Sequence, residues 1–228
     1  MKKIAIIPAR GGSKRIPKKN VRDFLGRPMI SFAIQSCIES GLFDEVMVST
    51  DDEVTADIAR SLGASVPFFR SAENSSDTAG TVDVLVEVIE AYQQQGIRFD
   101  LACCVYATNP LLSVNRLQEG LKKLQDSNFD SVFAAVKYSF PVQRSFVLNN
   151  DKMQLMFPEH LNSRSQDLAP VYHDAGQFYW FRPDLLLASK KIWTNNTGIV
   201  ELSELEVQDI DEESDWKMAE LKFKMLKG

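Results

Sequence analysis

Ile4-Ala5-Ile6-Ile7-Pro8-Ala9-Arg10-Gly11-Gly12-Ser13-Lys14-Arg15-Ile16-Pro17-Lys18-Lys19-Asn20 carries the most informative pattern in the chain. Its opening run, Ile4 to Ile7, is largely β-branched and reads as a first strand. Pro8 breaks that run into a loop with two adjacent glycines and five cations, Arg10, Lys14, Arg15, Lys18 and Lys19. Such a loop suits a polyanion. Gly11 and Gly12 lack a Cβ, so phosphate oxygens can approach the backbone N–H groups. The cations add charge-assisted hydrogen bonds. The loop is neither G-x-x-x-x-G-K-[ST] nor G-x-G-x-x-G. A solvated basic turn could hold the same residues. The position, after the first strand and before a helix-like segment, favours a phosphate site instead.

Working outward, strand-like runs alternate with helical patterns. Pro28 to Glu39 has apolar residues at helical spacing and ends at Gly41. Glu45 to Ser49 reads as a buried strand, and Thr50 or Asp51 caps a helix through Arg60. Val66 to Phe69 reads as another strand. Thr78 or Thr81 opens a long helix to about Gln94, and Leu101 to Tyr106 is an uninterrupted apolar strand of the kind buried on both faces. Ser113 caps a helix, and Asp130 to Lys137 is a further strand. After Tyr172 come strand-like Gln177 to Phe181, a helix near Asp184 to Ser189, strand-like Val207 to Ile210, and a last helix over Glu212 to Leu226. The alternation predicts an α/β fold, a Rossmann-like doubly wound, mostly parallel sheet, in one domain over residues 1–228. Ligands of such sheets bind beyond the carboxyl ends of the strands. That gathers Arg10 to Asn20, Ser49 to Asp52, Arg70 to Thr78 and Thr108 to Pro110 around one crevice.

The pattern changes at about 140–170, where aromatic, Asn, Gln and Arg residues mix without a period. This predicts an inserted arm. Phe140, Phe146, Met153, Met156 and Phe157 would be costly in water. Either a partner subunit covers them or the arm packs on itself.

Composition sets the bounds. The chain has 228 residues, 44% hydrophobic and 25% charged, with a net charge of -5. The basic residues of the loop are therefore local and mark a site. General nucleic-acid binding is not expected, because no basic face carries interleaved aromatics. No apolar run reaches the ~20 residues a membrane span needs. The three cysteines, Cys37, Cys103 and Cys104, have no metal-binding spacing and read as buried thiols. With a strand beginning at once and no leader pattern, the expectation is a cytoplasmic protein.

Asp209-Ile210-Asp211 is the second strong feature. Alternation along a strand would put both carboxylates on one side, where they could hold a hard divalent cation. A solvated acidic turn before the last helix is the other reading. Ser75-Ser76-Asp77-Thr78 could meet a ribose or base, or could simply cap a helix. Tyr172-His173-Asp174-Ala175-Gly176-Gln177 packs functional side chains closely. His173 would accept a proton or hydrogen-bond a substrate. No Ser/His/Asp or Cys/His nucleophile system is visible.

Ile6 to Asn20 resembles the N-terminal signature of the cytidylyltransferases that activate nonulosonic acids, the acylneuraminate family. Pro8, Arg10, Gly12, Ser13, Lys14, Pro17, Lys19 and Asn20 all fall in register. The likeness continues through Phe24 to Met29, Val48 to Asp52, Gly63-Ala64, Asp77-Thr78 and Asp209 to Asp211. Tyr172 to Trp180 and Cys103 to Thr108 are similar to the pseudaminic acid branch of that family. Its sialic acid members carry Gln-Pro-Thr where this chain has Tyr106-Ala107-Thr108.

The resemblance implies CTP and an acid sugar as substrates, Mg²⁺ as cofactor, and a homodimer with an exchanged arm. It implies a nucleotide site of Ala9, Arg10, Gly11, Gly12, Ser13, Lys19, Asn20, Arg70, Ser76 and Thr78. Tyr106, Thr108, His173, Asp174 and Gln177 would read the sugar, and Asp209 and Asp211 would hold the metal. Arg10, Lys19 and Asp211 would be catalytic. The alternatives are another acid sugar (legionaminate, sialate or 3-deoxy-manno-octulosonate) or a nucleotide-binding regulator without transfer.

Overall fold

The computed structural model describes residues 1–13 and 15–227. Lys14, one of the five loop cations, lies outside the described residues. The first half holds β1 (Lys3–Pro8), β2 (Asp23–Phe24), β3 (Arg27–Pro28), α1 (Ile30–Glu39), β4 (Glu45–Ser49), α2 (Glu53–Ser61) and α3 (Thr81–Gln94). Then come β5 (Leu101–Val105), α4 (Val114–Asp126), β6 (Ser131–Lys137), β7 (Phe146–Asn149) and β8 (Lys152–Leu155). The chain closes with β9 (Tyr172–Phe181), α5 (Pro183–Ser189), β10 (Thr197–Leu202) and α6 (Glu213–Lys227).

One six-stranded sheet runs in the order β10-β6-β9-β5-β1-β4. β1 pairs in parallel with β4 and β5, and β10 with β6, while β9 runs antiparallel to both β5 and β6. The central strands show why the sheet is covered on both faces. Ala5 and Ile7 pack with α1, α2 and α4, whereas Ile4 and Ile6 pack with α3 and α5. In β5, Cys103 and Val105 face the first layer and Ala102 and Cys104 the second. Side chains alternate across a strand, so a strand apolar at every position requires a helix layer on each side. The three thiols are buried and unpaired. Desolvation pushes Cys37 and Cys104 far up, and Cys103 likewise, so they act as apolar filling.

A third, smaller apolar cluster lies outside the sheet and matters most for the site. It joins Ile16 of the basic loop, Phe24 of the β2–β3 hairpin, Met29 at the head of α1, Phe32 of α1, Ile210, and Trp216 and Ala219 of α6. Phe24 meets Phe32 and Trp216 edge-on at centroid distances of 5.4 and 5.5 Å. Ile16 and Ile210 are both 1% exposed. Burying each contributes about 1.5–3 kcal/mol. The same burial draws the basic loop and the acidic run to one place.

Two expected strands are absent. At Val66 to Phe69 only the preceding Ser65 reaches the sheet, as an isolated parallel bridge to Met47. Pro67 has no N–H to extend a ladder. Val207 to Ile210 is irregular, and Thr197–Leu202 fills the edge position instead. Val207 and Ile210 enter two different clusters, so their apolar character reflects anchoring and not a strand face. The chain from Phe140 to Pro170 leaves the sheet. Its β7–β8 hairpin turns at Asn150 and Asp151, both in the left-handed region with φ of 49° and 60°. Phe140 is 83% and Leu148 71% exposed, so packing of the arm on itself leaves its apolar side chains in water.

Candidate functional site

The crevice lies beyond the carboxyl ends of β1 and β5, where the doubly wound pattern places it. It has a volume of roughly 320 Å³. Its walls bring together Arg10, Ser13, Arg15, Lys19 and Asn20 from the loop, Arg70 and Ser76 from the segment before α3, Tyr106 and Thr108 after β5, and Asp211. A second depression of roughly 530 Å³ shares Arg10, Ser13 and Ser76 and adds Gly11 and Gly12. The basic loop is the ridge between the two.

Each loop residue is held by a particular partner. Asn20 is 9% exposed, and its Nδ2 donates to the Arg10 carbonyl at 2.9 Å, bracing the turn. Arg10 reaches across the cleft to Asp77 at 2.8 Å and to the Ser76 carbonyl at 3.3 Å. Lys19 Nζ donates to the Ile210 carbonyl at 2.7 Å, and Arg15 pairs with Asp211 at 2.7 Å. The cationic loop and the acidic run therefore touch directly. Burial lowers the Lys19 ammonium below its ordinary value. Asp211 and Asp209 oppose that shift, while Arg15 and Arg10 reinforce it. Asp209, although its edge is solvent-exposed, has its carboxyl pushed up by desolvation and then by Asp211, with Lys19 opposing. Arg70 is 8% exposed, and its Nε donates to Ser49 Oγ at 3.0 Å. Burial lowers its pKa, offset in part by Asp51 and Glu87.

Several expected site residues stand differently. Gly11 N–H donates to Asp51 Oδ1 at 2.8 Å, and a Cβ on Gly11 would lie 2.7 Å from Asp52 Cβ. Close packing against Asp52 therefore accounts for that glycine, whereas Gly12 faces open space. Ala9 is a core residue whose N–H completes the ladder to Ser49 at 2.9 Å. Thr78 opens onto a neighbouring depression, within reach of Ser76 Oγ at 3.3 Å. Gln177 is 3% exposed, and its Nε2 donates to the Glu206 carbonyl at 2.5 Å, so its role in the structure is to fix the turn before Val207. His173 is exposed at the start of β9, opposite Val136 of β6 and 4.8 Å from the Tyr138 ring, with Nδ1 donating to the Asp174 carbonyl. Asp174 accepts from Tyr179 at 2.6 Å and from the Gly176 N–H at 3.0 Å. Tyr179 lies 5.3 Å from Tyr106, whose hydroxyl meets Thr81 Oγ1 at 3.1 Å. Asp174 thus stands behind the Tyr106 wall. Asp209 and Asp211 flank a coil, not a strand, with Ile210 buried between them.

The cap residues are also reassigned. Asp52 caps α2, accepting from the Thr55 N–H at 2.8 Å, which frees Asp51 for Gly11. Gly80 begins α3, braced by Asp83 at 3.1 Å, which leaves Asp77 to meet Arg10. Asp51 and Asp77 fall in stretches expected at the crevice, but their contacts with Gly11 and Arg10, and the place of Thr81 in its wall, were missed because helix capping explains each position equally well.

An α/β sheet with a cationic loop after its first strand, facing an acidic run across a cleft, defines a protein class whose site receives a polyphosphate. Comparison with known proteins narrows it. The cytidylyltransferase family model matches residues 4–215, and the chain belongs to that family. It is 42% identical over 226 residues to pseudaminic acid cytidylyltransferase of Campylobacter jejuni, covering 99% of this chain and 97% of the relative. It is 29% identical to CMP-N,N'-diacetyllegionaminic acid synthase of Legionella pneumophila, over 96% of this chain and 95% of that protein. Among solved structures, CMP:2-keto-3-deoxy-manno-octonic acid synthetase, complexed with CTP, superposes with a TM-score of 0.73. That match has 18% identity over 99% of this chain and 100% of the other, and it speaks to the fold alone. No helix among the described residues is long and apolar enough to cross a membrane.

Proposed function

We propose that this chain transfers CMP from CTP to the anomeric hydroxyl of a nonulosonic acid, pseudaminic acid foremost, and releases pyrophosphate. Full-length similarity to relatives of that name supports the substrate. The observation that carries the chemistry is the meeting of basic loop and acidic run, through Lys19 on the Ile210 carbonyl and Arg15 on Asp211. The anomeric oxygen attacks the α-phosphorus as the bond to the β-phosphate oxygen breaks. The hydroxyl proton passes to solvent, and pyrophosphate carries away the leaving charge. Transfers of this kind depend on positioning and charge neutralisation. Arg10 and Lys19 would neutralise triphosphate oxygens, Gly12 and Ser13 would present loop donors, and Asn20, Arg70 and Ser76 would hold the nucleoside. Tyr106 and Thr108, backed by Asp174, would face the sugar, with His173 at the outer rim.

Magnesium fits the donor set. Among the described residues no group of three or more metal-binding side chains gathers. Magnesium needs only one or two carboxylates where waters and substrate phosphates complete its shell. Asp211 lines the cleft with Asp209 beside it, and these two would hold the ion. Bound there, it would supply Lewis-acid neutralisation at the phosphates. The reaction belongs in the cytoplasm with its nucleotide. The exposed arm, with Phe140 and Leu148 open to water, is read as a homodimer contact.

The test is incubation with CTP, Mg²⁺ and a panel of acid sugars, measuring pyrophosphate. Release with pseudaminic acid in preference to legionaminate, sialate or 3-deoxy-manno-octulosonate is expected. Preferential release with another sugar would replace the substrate. CTP binding without release from any sugar would replace the enzyme reading with a regulator.

A further inference from the structure

Residues 70–80 form one wall of the cleft but contain neither helix nor strand. Arg70, Asn74 and Ser76 of this wall line the crevice. A segment of this length without regular structure needs an anchor to hold a ligand in one geometry. At its start, Arg70 N–H donates to the Thr50 carbonyl at 2.8 Å, and at its end Gly80 is braced by Asp83. Between those points Arg10 holds the far half, through the Ser76 carbonyl and Asp77, and one carboxylate holds the near half. Glu87, on α3, accepts from the Ser71 N–H at 2.8 Å, from the Ser71 hydroxyl at 2.7 Å, and from Asn74 Nδ2. Ser71 passes this order onward. Its carbonyl accepts from the Ser75 hydroxyl at 2.7 Å and its Oγ from the Asn74 N–H at 3.3 Å. Glu87 itself does not line the crevice but opens onto the depression beside it.

We propose that Glu87 is a positioning residue for the nucleotide, acting through Ser71 and Asn74 to set the wall that carries Arg70 and Ser76. Burial alone would raise its carboxyl. The bonds from Ser71 and Asn74 and the Arg70 charge more than offset that, so the group is a carboxylate with its lone pairs directed at the loop. Three donors converge on it from the loop, so only an acceptor satisfies them. Glu87→Gln keeps the size but removes the charge that strengthens these bonds and turns an NH₂ toward the loop, so the Ser71 hydroxyl or the Asn74 amide must give up its donor role. The sugar wall is built from Tyr106 and Thr108; Tyr106 meets α3 through Thr81, and the Glu87 carboxylate bonds to Ser71 and Asn74 and to neither wall residue.

The proposal rests on the functional reading above, and the experiment separates the two. Wild type, Glu87→Gln, Ser71→Ala and the double variant are compared as full chains. Amide hydrogen exchange at residues 71–79, measured without ligand, tests the anchor independently of any activity. About tenfold faster exchange there, with the interior of α3 unchanged, is expected for Glu87→Gln. Steady-state pyrophosphate release then gives KM for each substrate. KM for CTP should rise about tenfold while kcat and KM for the sugar stay within about twofold. The double variant should be no worse than the more severe single one, because both cut the same contact. Unchanged exchange, equal rises in both KM values, or additive losses would overturn the role of Glu87. Wild type that neither binds CTP nor releases pyrophosphate would overturn the functional reading, and with it the nucleotide half of this proposal.

Discussion

Lys19→Ala separates the chemical role of the basic loop from its structural one. The Lys19 ammonium is partly buried, donates to the Ile210 carbonyl at 2.7 Å, and sits in the field of Asp209 and Asp211. Structurally, its removal strips one hydrogen bond from the carbonyl of the buried Ile210, a cost of about 1–3 kcal/mol. Part of that is returned, because burial already disfavours the charge. A net loss near 1 kcal/mol moves Tm by about 2–4 °C in a chain of this size, so the variant stays folded at 25 °C. Chemically, removal of one preorganised donor aimed at developing charge costs about 10²–10³ in kcat, or 2.7–4 kcal/mol. Pyrophosphate release at saturating CTP and sugar should therefore fall at least about a hundredfold while the melting curve barely moves. Lys122→Ala, on the exposed face of α4, is the matched control and should be silent in both. The protonation state adds a second signature. Because burial lowers the Lys19 pKa below 10.5, the active ammonium is present at lower pH and is lost as pH rises through that depressed value. Turnover should fall on the alkaline side before a free lysine would titrate, and Lys19→Arg should move that limb upward, since guanidinium stays charged. Turnover within about threefold of wild type in Lys19→Ala would refute the reasoning, as would an alkaline limb that Lys19→Arg leaves in place.

The other predictions concern the scaffold and the arm. Arg116 Nε and Nη2 grip Glu206 at 2.8 and 3.0 Å, and that hydrogen bonding, first among the causes, lowers the Glu206 carboxyl to about 2. The pair's stabilisation is complete above the ordinary 4.5 and is lost as pH falls toward about 2. Arg116→Ala should therefore cost about 1–3 kcal/mol in urea melts at pH 7, shrinking between pH 4.5 and 2. A Cβ on Gly120 would stand 2.8 Å from both Phe178 and Trp180. Gly120→Ala should destabilise by about 1–3 kcal/mol by thermal melting, through overpacking. Leu148 is 71% exposed on the arm, and Leu148→Asp should convert the proposed dimer into a monomer by light scattering, with the melting temperature of the monomer unit retained; a wild-type chain that is already monomeric would refute the dimer.

Much of the sheet was legible because its strands are short, apolar throughout and separated by capped helices. Ile4 to Ile7 and Leu101 to Val105 have no polar face, and that alone requires cover on both sides. The edges were less legible for reasons specific to them. Thr197–Leu202 mixes Gly198 and Glu201 into its run, and Gly198 is there because a Cβ would strike the Phe129 ring at 2.7 Å. Its strand character depends on pairing with β6, a long-range contact with no local signature. Val207 to Ile210 gives the opposite error. Two apolar residues three apart resemble a strand end, yet each is drawn to a different cluster.

The site divides along the same line. Arg10, Arg15 and Lys19 beside Gly12 were readable as a candidate polyanion loop from their composition and their place after β1. The partners of Asp51 and Asp77 were not, since an acid near a helix start is equally a cap, and Glu87 was not, since an acid in mid-helix reads as a solvated face; only the fold decides which N–H or cation each meets. The pairing of loop with acidic run also has no signature in local charge. Lys19 and Asp211 are far apart in sequence, and opposite charges in water attract too weakly to bring distant segments together. The apolar residues between the charges supply that force. Ile16 lies within the basic loop and Ile210 between the two aspartates, and both are 1% exposed in one cluster with Phe24 and Trp216. Burial of these two isoleucines holds the charged neighbours at contact distance before any ligand arrives. Electrostatic matching at this cleft is thus positioned by a hydrophobic clasp, which sets Arg15 against Asp211 and Lys19 against the Ile210 carbonyl.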